Sequence, residues 1–137
     1  MRREPVFVAL GSNRGDREGQ LAAARAALAA LPDTEFVAAS RVEETAALGP
    51  PQPDYLNQMV LLRTALAPRE LLRHCLAIET AQGRVRDRRW GPRVIDLDIV
   101  RYGDRQVDEP GLTVPHPELP HRPFWQRELE ELEEHVS

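Results

Sequence analysis

An apolar run over residues 5–10 reads as a strand, and it opens into Gly11, Ser12, Asn13, Arg14, Gly15 and Asp16, a turn leading into a helix. Over residues 17–31 the apolar positions Leu21, Ala24, Leu28 and Leu31 recur at helical spacing until Pro32 closes the segment. Residues 35–43 read as a second strand. Residues 46–53 carry three prolines and a glycine and predict a loop, whereas residues 57–64, apolar on both faces, suit a central strand. A second helix begins with Pro68 in its first turn and aligns Leu71, Cys75 and Ile78 on one side. An arginine-rich loop then leads into a strand over residues 94–100. A turn at Gly103 and Asp104, a short returning strand near Gln106 and Val107, a proline-spaced segment over 110–123 and an acidic helix complete the chain. The order is β-α-β-β-α-β with C-terminal additions. It predicts an α+β fold of the ferredoxin-like kind, an antiparallel sheet with helices on one face and the other face open for a site.

Length and composition narrow the setting. With 137 residues, 42% of them hydrophobic, the chain is expected to form one domain over 1–137. A formal charge of −4 gives no general attraction to nucleic acid or to an anionic membrane. The chain begins with no signal-peptide pattern, and no apolar run approaches the ~20 residues that span a bilayer, so a soluble cytoplasmic protein is expected; a monomer is expected as well. All eighteen basic residues are arginine. That excludes a P-loop lysine, a Schiff base or a lysine general base, and leaves guanidinium forks, metal and backbone N–H groups for handling phosphate. The lone Cys75 argues against a disulfide framework and reads as a small core residue.

Charge is unevenly placed. Arg84, Arg86, Arg88, Arg89 and Arg93 oppose a single Asp87, while Glu128, Glu130, Glu131, Glu133 and Glu134 crowd the C-terminal helix, where a solvated face is expected. The arginines precede Asp96 and Asp98, which a period of two puts on one face of the strand. At ~3.3 Å rise per residue their carboxylates stand roughly 6.5 to 7 Å apart along the strand. Such a pair is unfavourable without a cation or an arginine between, and hard oxygen donors beside a phosphate suit Mg²⁺. Taken alone, the pair also fits a solvated acidic face. The loop of residues 84–93, with Gly83, Gly91 and Pro92 as flexible and fixed points, can close over a triphosphate or lie as a charged surface loop.

Other residues qualify as ligand contacts. The two asparagines, Asn13 and Asn57, each combine a donor and an acceptor, as reading a lactam edge requires, although a turn or a cap would also use them. Tyr55, Trp90 and Phe124 could stack on a flat ligand or serve packing. His116 stands between Pro115 and Pro117, which should aim its imidazole outward toward a phosphate, and His121 and Arg122 continue that surface. His74 fits helix packing and His135 a solvated tail.

The set ALGSN at residues 9–13, LGPPQPDYLN at 48–57, IETAQGRVR at 78–86, RWGPRVIDLDI at 89–99 and LTVPHP at 112–117 resembles the 6-hydroxymethyl-7,8-dihydropterin pyrophosphokinase family over residues 6–124. The resemblance implies a ferredoxin-like fold and transfer of diphosphate from ATP to a pterin alcohol, with AMP leaving, in folate biosynthesis. By that resemblance Asp96 and Asp98 hold two Mg²⁺ ions on the triphosphate, and Arg84 and Arg93 stabilise the transferring group. Glu79, Arg86, Trp90, Ile99, Thr113, His116 and Arg122 match positions around ATP, the arginines and His116 on phosphates and the backbone near Ile99 on adenine. Pterin would lie between Tyr55 and Phe124, with Thr45, Leu48 and Asn57 at its polar edge beside Gly11. The acceptor of the hydroxyl proton stays open, Asp98 being one candidate. The implied partners are ATP and the pterin, not nucleic acid or membrane.

The chain departs from the family at Ala46 and Ala47, where prolines are common, at Pro117, in a slightly shorter 84–93 loop, and in a short acidic helical C-terminus from Trp125. Two other classes compete: a non-catalytic ferredoxin-like nucleotide sensor using the same arginines, and an RNA-binding module, which the negative charge and the lack of an RNP-like aromatic pattern disfavour.

Overall fold

The two most continuously apolar runs take the middle of the sheet, because only central strands between two covered faces can bury both sets of alternating side chains. The computed structural model describes residues 2–47, 51–83 and 94–136. In it β1 (Glu4–Ser12) pairs antiparallel with β4 (Tyr55–Thr64) along its whole length, from Glu4 opposite Thr64 to Ser12 opposite Leu56. β2 (Thr34–Ala39) and β3 (Glu43–Thr45) occupy the outer edge of β4, and β5 (Asp96–Tyr102) the outer edge of β1, giving the order β2-β4-β1-β5 with every pairing antiparallel. The fold is thus α+β around an antiparallel sheet.

Both faces are covered. Val6, Val8, Leu10, Val60, Leu62, Leu97 and Ile99 meet Leu21, Ala24 and Leu28 of α1 (Arg17–Ala29) and Leu71, Cys75 and Ile78 of α2 (Pro68–Ala81). α1 starts where the Asp16 side chain accepts the Gly19 N–H, and α2 where Pro68 presets the first turn and Glu70 accepts the Ala67 N–H at 2.9 Å. On the other face Phe7, Ala9, Met59, Leu61 and Val100 pack under Trp125, Leu129 and Leu132 of α3 (Pro123–Leu132). The expectation of helices on one face only is therefore corrected: the spacing of Trp125, Leu129 and Leu132 makes α3 amphipathic, and it covers part of the face expected to be open.

Three local differences have visible causes. The strand expected over 35–43 is divided, because Ser40 turns its hydroxyl to accept the Met59 N–H at 2.9 Å while the Gln58 amide donates to its carbonyl at 2.7 Å. The second half, β3, draws Tyr55 and Leu56 into β4. The returning strand, β6 (Val107–Glu109), pairs not with the main sheet but with β7 (Leu112–Val114) across Pro110 and Gly111, whose φ of 77° suits the third position of a type II turn. In β5 the register shifts so that Phe7 faces Arg101 and Val8 faces Ile99. The intervening Val100 bulges, so Val100 and Arg101 both face the α3 side and Tyr102 returns to the core of Ile99.

Leu61 is fully buried beneath α3. Leu61→Ala is expected to cost about 2–5 kcal/mol of unfolding free energy. Urea unfolding followed by circular dichroism measures it; a loss below about 1 kcal/mol would mean that α3 closes no real core.

Candidate active site

Sheet register assembles the site. Glu43, Asn57, Gly11 and Asp96 stand side by side across β3, β4, β1 and β5, and Met59, Ala9 and Asp98 form the next row. Because Leu97 and Ile99 enter the α1/α2 core, Asp96 and Asp98 share the opposite face, the one on which Ala9 and Met59 meet α3. Gly11 leaves the floor flat: a Cβ there would lie 3.4 Å from Tyr55 Cδ1 and 3.5 Å from Asn57 Oδ1. Asn57 donates its amide to Thr45 Oγ1 at 2.8 Å and to the Glu43 carbonyl at 3.3 Å, which turns its acceptor oxygen toward Gly11.

His116 closes the other side. After a cis Val114–Pro115 bond, a 2.9 Å hydrogen bond from its N–H to the Val100 carbonyl holds the segment against β5. Its Nδ1 accepts the Glu118 N–H at 3.0 Å, so the ring proton sits on Nε2, which stands 3.7 Å from Asp98 Oδ1. That spacing is too long for a hydrogen bond. The imidazole does not project outward as expected from its prolines: its side chain is 23% exposed and packs edge-on against Trp125 at 5.0 Å. Trp125 carries the Arg122 guanidinium 4.5 Å above its ring and meets Phe124 at 6.4 Å. Sequence reasoning passed over Trp125, although its spacing from Leu129 and Leu132 marked it as a buried anchor.

The loop beside this floor is tied down from two sides. Asn13 donates to Gln52 Oε1 at 2.8 Å and to the Pro53 carbonyl at 3.0 Å. Arg17 donates to Glu44 Oε2 at 2.9 Å and to the Asp54 carbonyl at 2.8 Å. Asn13 thus spends its amide on holding the loop. The structure therefore brings together Gly11, Thr45, Tyr55, Asn57, Asp96, Asp98 and His116, with Arg122 and Phe124 joined through Trp125. Glu79 belongs to the other face: it is 5% exposed and accepts the Leu97 N–H at 2.7 Å, holding the outer edge of β5. The Ile99 side chain lies in the α1/α2 core and Thr113 is exposed on β7. Leu48, Arg84, Arg86, Trp90 and Arg93 lie outside the described residues.

Among the described residues no three His, Cys, Asp or Glu side chains converge on one point. Two carboxylates on one strand face still match a cation such as Mg²⁺, which takes one or two protein oxygens and completes its shell with phosphate and water. Among the described residues no helix is long and apolar enough to cross a membrane.

The sequence profile of the family described as 7,8-dihydro-6-hydroxymethylpterin-pyrophosphokinase matches residues 7–134. The chain is 48% identical over 120 residues to the 2-amino-4-hydroxy-6-hydroxymethyldihydropteridine pyrophosphokinase of Pseudomonas aeruginosa, covering 87% of this chain and 74% of that protein. The protein of the same name from Bacillus subtilis is 39% identical over 133 residues, covering 96% of this chain and 80% of the relative. For the Synechocystis protein of that name the identity is 47% over 119 residues, 87% of this chain but only 61% of the relative's length.

Asn13→Ala removes both side-chain bonds to the loop. Amide exchange at residues 52–57 should quicken several-fold while α2 keeps its protection. Unchanged exchange there would show that Asn13 does not hold the loop.

Proposed function

The chain belongs to the 7,8-dihydro-6-hydroxymethylpterin-pyrophosphokinase family, and we propose that it transfers a diphosphate group from ATP to the hydroxyl of 6-hydroxymethyl-7,8-dihydropterin, releasing AMP, in folate biosynthesis. The supporting observation is the register that sets Asp96 and Asp98 beside the Gly11, Asn57 and Tyr55 floor on one sheet face. A flat heterocycle would lie over Gly11, where a Cβ would fill the space against the Tyr55 ring. Tyr55 and Phe124 would stack on it, while Asn57, Thr45 and Leu48 read its polar edge. The hydroxymethyl end then points along the row toward Asp96 and Asp98.

ATP would occupy the Asp98 and His116 side. Asp96 and Asp98 would hold two Mg²⁺ ions, which when bound neutralise triphosphate charge and polarise the transferred group. The Nε2–H of His116, 3.7 Å from Asp98 Oδ1, would donate to a phosphate oxygen. Arg84 and Arg93 would meet the charge that develops at the transferring oxygens. Arg86, Trp90, Thr113, Arg122 and the backbone at Ile99 would hold the rest of the nucleotide. Glu79 would act through β5, whose outer edge it secures at Leu97. The fold reading that goes with this function is ferredoxin-like, supported by the order β2-β4-β1-β5 with α1 and α2 on one face. We further assign a single domain working as a cytoplasmic monomer.

Incubation with ATP, MgCl₂ and the pterin should yield AMP and pterin diphosphate in equal amounts. Release of ADP would reject diphosphoryl transfer, and ATP binding indifferent to pterin would favour the sensor. Asp96→Ala and Asp98→Ala should each lower turnover by at least about a hundredfold with the circular dichroism unchanged. Near-native rates in both would sink the carboxylate assignment. Arg84→Ala should depress kcat more than it weakens ATP affinity, and equal losses would contradict a transition-state role.

A further inference from the structure

A buried carboxylate without a donor is expensive, and α3 carries one at its centre. Glu128 is 1% exposed, and neither of its oxygens has a hydrogen-bond donor among the described residues. On β3, Glu43 Oε1 is equally buried and equally without a donor. The other Glu43 oxygen accepts from Arg127 Nε at 3.1 Å and Nη2 at 3.0 Å. Arg127, the residue before Glu128, thus ties Glu43 to α3, and two ionised acceptors buried at that contact would repel and satisfy nothing. One proton shared between them removes a charge and converts an acceptor into a donor.

We propose that Glu128 is held as a neutral carboxylic acid donating to Glu43, and that this shared proton is a latch positioning α3 against β3 and thereby shaping the pterin side of the site. Glu128 is a positioning residue that touches no substrate. Its effect reaches the site from two directions. Trp125 and Phe124 lie one turn before it on α3, and the Glu43 carbonyl accepts the Asn57 amide that also binds Thr45.

The surrounding charges leave the latch intact. Arg41, in the β2–β3 connection, spends both its N–H and its Nε on Glu131, each at 2.8 Å. Arg127 engages the far oxygen of Glu43, which leaves Oε1 as the acceptor for Glu128. Burial first, then the hydrogen bond and the charge of Glu43, push the Glu128 carboxyl up to about 9, with Glu131 adding to the rise and Arg127 opposing it. A raised carboxyl stabilises the folded form fully below its ordinary value, and the latch is lost as pH rises through about 9. Cys75, pushed up to about 12 by burial, stays silent in that window, and burial raises Tyr102 too. Both lie on the α1/α2 side of the sheet.

The latch stands independently of the proposed activity; only its consequence for pterin rests on that reading. Trp125 fluorescence in a Trp90→Phe background, followed from about pH 6 to about pH 10, reports it directly in the free protein. A red shift with a midpoint near 9 is expected for the parent, and no shift for Glu128→Gln, whose amide donates to Glu43 at every pH. Glu43→Gln, donating in the opposite direction, serves as a second variant and should suppress the transition too. A transition that persists in both variants, or none in the parent, overturns the latch. With Trp90 restored, pterin affinity by calorimetry should weaken about tenfold per pH unit above the midpoint in the native protein relative to Glu128→Gln. Parallel profiles for the two proteins overturn the coupling to the site. No pterin binding by either, with the fluorescence transition present, keeps the latch and rejects the proposed function.

Discussion

Pairing of β1 with β4, from Glu4 opposite Thr64 to Ser12 opposite Leu56, is the constraint on which everything else rests. Both strands are buried on both faces, so a slip by one residue would move Asn57 to the opposite face and would turn apolar side chains away from their helices. The same register extends through β1 to β5 and decides that Asp96 and Asp98, rather than Leu97 and Ile99, face the Gly11 floor. Core packing and site assembly are thus one requirement. Apolar burial sets the register at large energetic gain, and the polar residues inherit their positions from it.

The second face of the sheet shows how a small protein combines a core with a cleft. α3 covers only the part of that face lined by Phe7, Ala9, Met59, Leu61 and Val100, leaving the end with Gly11, Asn57 and the two aspartates to polar side chains. Trp125 lies at the boundary. It is buried with Leu129 and Leu132, yet its ring supports His116 and carries Arg122. The position of α3 is therefore a property of the site as much as of the core. That is why an acid pair between this helix and β3, Glu128 with Glu43, bears on function.

A strand break, a bulge and a tethered loop refine the edges. Ser40 interrupts the edge strand by bonding across to Met59, and Val100 offers its carbonyl to the His116 N–H. Asn13 and Arg17 hold residues 52–54 by side-chain bonds where no ladder reaches. Each device satisfies backbone groups that a regular sheet would leave open at this end.

By itself the sequence determined the succession of the longer strands and helices, though not β3 or β7, and the apolar membership of the core under α1 and α2. Alternation and helical spacing are local properties, legible without a partner, and they located Leu21, Leu28, Leu71 and Cys75 correctly. It also determined that Asp96 and Asp98 share a face, because a period of two needs only the strand. Tertiary structure alone decided which face that is, that His116 turns inward to Asp98, that Asn13 is committed to the loop and that α3 lies on the sheet. The acidic run at the C-terminus reads in sequence as a solvated face, yet one of its glutamates is among the most buried residues in the molecule. Whether a carboxyl is hydrated or enclosed depends on what packs over it, and nothing in Glu128 or its neighbours along the chain says that Glu43 waits on the other side.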